Sequence, residues 1–198
     1  MRPTATWLAV LLVSLAACEP TPRTPSAVSG ETLAPAPTPP ATPAPADSAS
    51  ATTLTPTGLG AMREGMSSAD AASVTGGSLT VPASSSADQC DYATWPSAPK
   101  GVYVMFVGGT LARIDVREPG IRTTDGIEVG ASAAQVEATY GARAVRRPHK
   151  YQAGEYFVVQ PLAPADTVHR LMIEVTGGRV GAMHAGRFPM VEWVEGCS

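Results

Sequence analysis

Three histidines, one serine in a near-elbow sequence and a short run of cations are the side chains whose spacing admits chemistry. Gly130-Ala131-Ser132-Ala133-Ala134 approaches the Gly-x-Ser-x-Gly turn that exposes a nucleophilic serine between a strand and a helix. Its fifth residue is alanine, and Ser132 stands three residues before Gln135, the spacing of a capping box. Helix capping therefore accounts for Ser132 better than catalysis does. His149, His169 and His184 are the only histidines. With Gly177-Gly178 as a two-residue turn, His184 falls opposite Leu171 on the sheet face of His169, and a one-residue slip sends both side chains to the other face. Two imidazoles without an acidic third ligand make a poor zinc site, so no metal is expected. Asp115 and Glu118, and Glu192 and Glu195, are neighbours in sequence, but nothing fixes the separation that paired-carboxylate hydrolysis requires. With no glycine-rich phosphate loop either, the chain is expected to be no enzyme and to carry no cofactor.

Arg143, Arg146, Arg147, His149 and Lys150, followed by Tyr151, form the one local concentration of positive charge. Read as a loop leading into a strand at Glu155, it offers arginine forks to carboxylates or phosphates, as on an acidic cell-wall glycan. A merely solvated loop is the alternative. Trp95, Tyr156, Phe188 and Trp193 either extend that surface or fill the core, the commoner fate of aromatic rings in a small domain. The rest of the folded part is slightly acidic and well mixed in charge, which implies neither nucleic acid nor an anionic membrane surface as partner.

The elements that must position these groups come in two similar sets. Gly65-Met66-Ser67-Ser68-Ala69-Asp70-Ala71-Ala72 aligns with Gly130-Ala131-Ser132-Ala133-Ala134-Gln135-Val136-Glu137, and the two runs end at Gly76 and Gly141. Each reads as a short helix opened by a serine. Val102–Val107, Gly108-Gly109 and Thr110–Val116 read as a hairpin, because Gly-Gly suits the positive φ of a primed turn. Leu171–Val175, Gly177-Gly178 and Arg179–His184 repeat that pattern, and Glu155–Gln160 is a further strand rich in aromatic and β-branched residues. The expected class is α+β, a tandem repeat of short helix plus antiparallel strands with the helices on one face of the sheet.

Upstream, ten of the nineteen prolines fall between Glu19 and Thr57, in a segment of Pro, Ala, Thr and Ser with little to bury. It is expected to be an extended, disordered tether, reaching on the order of 100 Å at about 3.1 Å per residue. Met1 to Ala17 has the three parts of an export signal: Arg2, the apolar run Trp7 to Leu15, and the small pair Ala16-Ala17. It falls short of the roughly 20 apolar residues of a membrane-spanning helix. The Leu15-Ala16-Ala17-Cys18 sequence that ends it resembles a bacterial lipobox. The resemblance implies cleavage before Cys18, a diacylglycerol on its thiol and an acyl chain on its new amino group. Stable anchoring needs more than one chain, and three meet that need. Glu19, where an aspartate commonly signals inner-membrane retention, implies by analogy the outer membrane, facing the periplasm.

Lipidation of Cys18 leaves Cys90 and Cys197 as an even pair in an oxidising compartment. A disulfide between them closes a loop of roughly 100 residues and is worth at most about 4 to 5 kcal/mol in the chain-entropy model. The alternative, a redox or metal site, lacks a Cys-x-x-Cys or a nearby histidine pair. The expected organisation is therefore 1–17 signal, 18–57 lipidated cysteine and linker, 58–119 first repeat, 120–198 second repeat.

The duplicated order, with its Gly-Met-Ser helix start and strand-glycine-strand hairpin, resembles the fold of the β-lactamase inhibitory proteins and of small outer-membrane lipoproteins of the BamE/SmpA kind, over roughly Gly58 to Ser198. The stretch from Gly120 to Ser198 also resembles a C-terminal domain of uncharacterised proteobacterial lipoproteins. Either resemblance implies a non-catalytic binding scaffold, an adaptor or inhibitor with an envelope protein as partner. Cell-wall glycan is the other partner class, through the basic loop.

Overall fold

A computed structural model describes residues 53–82 and 89–197. The expected signal, Cys18 and most of the expected linker lie outside the described residues. In chain order the elements are β1 Thr53–Thr55, β2 Gly58–Leu59, β3 Met62–Arg63, α1 Ser68–Val74, β4 Cys90–Tyr92, β5 Val102–Val107, β6 Thr110–Val116 and β7 Arg122–Thr123. Then follow α2 Ala133–Tyr140, β8 Ala144–Pro148, β9 Gly154–Val159, β10 His169–Thr176 and β11 Arg179–Arg187. A small sheet runs β3-β2-β1-β7, and a seven-stranded one runs β4-β5-β6-β11-β10-β9-β8. The class is α+β, mostly sheet, and the large sheet joins β4–β6 to β8–β11 through the pairing of β6 with β11.

Two elements differ from the sequence reading. The fold begins before Gly58: Leu54, a bulky residue among threonines and prolines, is fully buried, and β1 pairs antiparallel with β2 and parallel with β7. The basic stretch is not a loop either. Ala144–Pro148 is an edge strand antiparallel to β9. Its apolar pattern is too thin to announce a strand, while an edge position tolerates the Arg146-Arg147-Pro148 run that a central strand would not.

Both helices open as their sequences require. The Ser67 hydroxyl accepts from the Asp70 amide, and Ser132 and Gln135 complete a capping box. The residues before each helix are laced to a long strand. Gly65 donates to the Leu111 carbonyl and Leu111 returns a bond to Met66; Gly130 donates to Val180 and Val180 returns one to Ala131. Ala71 of α1 and Val136 and Tyr140 of α2 pack with Val104, Ile114, Phe157 and Ile173 in one core on one face of the large sheet.

Both hairpins turn on Gly-Gly pairs with φ between 58° and 76°, as primed turns demand. One step beyond each turn, the second strand carries an extra residue, Ala112 in β6 and Gly181 in β11. Each is a β-bulge. The bulge at Gly181 moves the register by one, so His184 pairs with Met172, and His169 with Arg187. His184 and His169 therefore lie on opposite faces of the sheet, and the paired histidine site does not form.

At the centre, β6 and β11 pair Arg113 with Gly186, Ile114 with Ala185, Asp115 with His184 and Val116 with Met183. Gly186 is required there, since a Cβ would run into the Ala112 carbonyl. Arg113, Asp115, His184 and Met172 share the face away from the helices. The chain after β11 crosses that face as a strap, with a 3-10 turn at Met190–Glu192. Val191, fully buried, packs on Tyr156, Val158 and Met172. A disulfide between Cys90 and Cys197 fastens the strap to edge strand β4 across 107 residues of sequence.

Cys197→Ser is expected to lower unfolding free energy by about 2–5 kcal/mol, read by urea denaturation. Faster hydrogen exchange at the Trp193 and Gly196 amides than at Val104 is the expected companion result.

Candidate functional site

Beneath the strap lies a network of buried charge. Asp115 has no exposed surface and His184 and Arg113 almost none. Arg113 grips the carboxylate with two prongs, Nε to Oδ1 at 2.5 Å and Nη2 to Oδ2 at 2.9 Å. The Tyr92 hydroxyl donates to Oδ2 at 2.9 Å, and His184 Nδ1 donates to Oδ1 at 2.8 Å. Arg113 Nη1 reaches past the carboxylate into the strap, to the carbonyls of Met190 at 3.1 Å and Trp193 at 2.5 Å. On the other side of His184, Nε2 stands 3.8 Å from Glu174 Oε2, an ion pair longer than a hydrogen bond. Glu174 also accepts from His149 Nε2 at 2.9 Å, and the His149 ring stacks on Tyr156 with 4.6 Å between centroids.

The bonds fix the proton positions. His149 Nδ1 accepts from the amides of Tyr151 and Gln152, so its proton is on Nε2. Both nitrogens of His184 face carboxylates, which suits the imidazolium. Two cations, Arg113 and His184, then balance two anions, Asp115 and Glu174. Burial alone pushes the His184 imidazolium down, but the charge and hydrogen bond of Asp115 outweigh it and leave it above its ordinary value. Burial pushes Asp115 up, and His184 with Arg113 reverses this, holding it well below the usual carboxylate range. Glu174 is drawn down to about 2, first by His184 against the cost of burial, then by His149. Burial raises Tyr92, reinforced by Asp115, so it stays a donor.

Each residue singled out from sequence has a definite place. Ser132 is spent on its helix cap. Asp115 is in the network, whereas Glu118 is paired with Lys100 at the surface. Every cation of the basic cluster meets an acid of the same chain. Arg146 bonds Glu155 at 2.6 Å and Glu137 at 2.8 Å, Arg147 bonds Glu192 at 2.5 Å, and Arg143 lies 3.8 Å from Asp125. Lys150 is 3.3 Å from Glu195, which also accepts from the Tyr151 hydroxyl. Of that cluster only His149 joins the network. His169 forms a separate group with Asp166 and Glu64, and Glu64 also faces Arg187. Tyr156 is buried under the strap and Phe188 is about half exposed.

Arg113 and Glu174 were missed. Arg113 and Asp115 alternate with apolar residues in β6, which reads as a wet face, and Glu174 and His184 read likewise. On β6 the available signal was a base and an acid two residues apart, Arg113 and Asp115; Glu174 and His184 come into phase only through the bulge at Gly181. Among the described residues no three His, Cys, Asp or Glu side chains come together to hold a metal, and no helix is long and apolar enough to cross a membrane. No family model, no curated protein and no solved structure matches the chain.

Asp115→Asn leaves Arg113 buried without a counter-charge and His184 with only the more distant Glu174, and is expected to cost about 3–5 kcal/mol. Glu118→Gln, which breaks an exposed pair, is expected to cost under about 1 kcal/mol. Urea denaturation at pH 6 compares the two.

The pH profile follows from the shifts. Asp115 and Glu174, lowered from 3.8 and 4.5, contribute stability that is complete above those values and lost as pH falls through the folded ones. His184, raised from 6.5, contributes stability that is complete below that value and lost as pH rises through the folded one. The urea midpoint should peak between about pH 5 and 6.5, and His184→Asn should flatten its alkaline fall. A midpoint still climbing from pH 7 to 9 contradicts this assignment.

Proposed function

We propose that the protein is a cell-envelope lipoprotein, anchored through lipidated Cys18 to the outer membrane and facing the periplasm, whose folded part is a non-catalytic binding module, an adaptor or inhibitor for another envelope protein. The observation that carries this reading is the Cys90–Cys197 disulfide. It belongs to an oxidising compartment, and it leaves Cys18 as the odd thiol directly after the apolar run of an export signal. The binding role is supported by the state of the reactive groups: the serine is a cap, and the three histidines with Arg146, Arg147 and Lys150 are engaged by neighbouring acids. Such groups hold a shape.

The module is read as a duplication, the arrangement that the resemblance drawn from the sequence implies. In support, Ser67 bridges to Thr110 as Ser132 does to Arg179, and Ala112 and Gly181 are bulges at matching positions. On that alignment Asp115 and His184 are equivalent residues, and the pairings on either side of them in β6 and β11 are related by a local twofold. The repeats retain the limits 58–119 and 120–198, with β1 added before the first.

Expression in a Gram-negative host fed an alkyne fatty acid tests the anchor. Labelled protein in the outer-membrane fraction, and loss of both label and anchoring in Cys18→Ala, is the expected result. Unlabelled, freely secreted protein refutes it. Affinity capture from an envelope extract, with mass spectrometry, is expected to enrich one envelope protein.

A further inference from the structure

On the helix side of the large sheet, away from the charge network, the end of α2, strands β1 and β7 and the connection from β9 to β10 enclose a cleft of about 260 Å³. Its walls are mainly apolar: Leu54, Val159 and Leu171 line it, and each is buried. At its mouth Leu162 is 75% exposed, a large aliphatic side chain left without cover on a connecting segment. An apolar protein cavity of about 150 Å³ holds benzene. The present one therefore has room for a ring-sized apolar body and a short polar arm, near the lower limit for ligand pockets.

Two donors line this cleft without adequate acceptors. Thr123 is 4% exposed, and its hydroxyl oxygen accepts from the Tyr140 hydroxyl at 2.8 Å and from the Ile127 amide at 3.0 Å. Burial pushes Tyr140 up to about 12, so both hydroxyls of the pair carry a proton, and the Tyr140 hydroxyl is the one that donates across it. Both acceptor positions of Thr123 are thus filled, and its own proton has no acceptor among the described residues. Arg143 lies on the lip. Its guanidinium is 5.4 Å from the centre of the Tyr140 ring, 3.5 Å from the Gln160 carbonyl and 3.8 Å from Asp125. None of these is a close charge-assisted bond. Asp166, also on the lip, is occupied: its carboxylate accepts from the Val168 and His169 amides and meets the His169 ring.

We propose that this cleft binds a small apolar monocarboxylate, with the carboxylate held by Arg143 and the Thr123 hydroxyl and the apolar body against Leu54, Val159 and Leu171 under Leu162. The class follows from the donors: two donors beside Tyr140 and an apolar remainder select an acceptor head on an apolar body. The first half of the chain supplies an internal comparison. A cleft of about 300 Å³ walled by Leu59, Met62, Val74 and Trp95 occupies the corresponding end of α1, and no charged residue lines it. It lacks the means to select an anion. The proposal goes beyond the lipoprotein reading, and loss of either leaves the other standing, since fatty-acid labelling at Cys18 does not depend on the cleft.

The test uses 3-phenylpropionate as probe, titrated into the full chain labelled with nitrogen-15 and solubilised in detergent. Saturable shifts of the Thr123, Thr124 and Leu162 amides are expected, with 3-phenylpropanol and 3-phenylpropylamine at least about tenfold weaker. Arg143→Gln should weaken the carboxylate at least about tenfold and leave the alcohol unchanged. Because Thr123→Val risks the packing of Tyr140 and Ile127, Leu162→Asp, at an exposed position, is the second variant and should weaken binding without altering the unfolding midpoint. Absence of saturable shifts up to about 10 mM, equal binding of acid and alcohol, an unaffected Arg143→Gln, or shifts confined to Val74 and Trp95 would each overturn the proposal.

Discussion

Asp115 is an ionised carboxylate with no access to water, and such a charge persists only where several donors converge on it. Arg113, Tyr92 and His184 supply them, from β6, β4 and β11. Each donor is anchored by a different constraint. Arg113 shares its strand with Asp115 and holds the strap carbonyls. Tyr92 sits on the edge strand that carries the disulfide, and His184 is brought opposite by the central strand pair. The middle of the sheet, its edge and the C-terminal strap are thereby coupled through one carboxylate. Removing the strap would expose this face to water and weaken every one of these charge interactions.

Much of the fold was legible because local chemistry and tertiary packing agree. The Gly-Gly turns, the alternation around them and the serine caps placed both long hairpins and both helices close to where they stand. What was not legible depended on single residues without a local signature. Leu54 turns the end of a threonine and proline segment into β1 because β2 and β7 are there to receive it. Arg146 and Arg147 are strand residues because β9 offers a free edge. Gly181, an unremarkable glycine in the sequence, adds the one residue that moves His184 to the opposite face from His169.

The candidate site was the least legible part, for a related reason. Arg113, Asp115, Glu174 and His184 alternate with apolar neighbours, and alternation alone describes a sheet with one wet face. Covering that face takes the strap from Phe188 to Cys197, which has no regular pattern. The basic residues, prominent in the sequence, turned out to be matched to acids from β9, α2 and the strap. Prominence in composition and availability for binding are separate properties: in the cleft, Arg143 belongs to the visible basic run, whereas Thr123 has no motif and lines the same cleft only in the fold.

The central claim is that His184 is a buried imidazolium balancing Asp115, while His149 donates to Glu174 as a single tautomer. Ring nitrogen-15 chemical shifts of the three histidines at pH 7 test it most directly. The account predicts both His184 nitrogens in the protonated range and, for His149, a protonated Nε2 with an unprotonated Nδ1. A His184 ring with one bare nitrogen at that pH would contradict it, leaving Arg113 alone to balance the buried Asp115 and the half-buried Glu174.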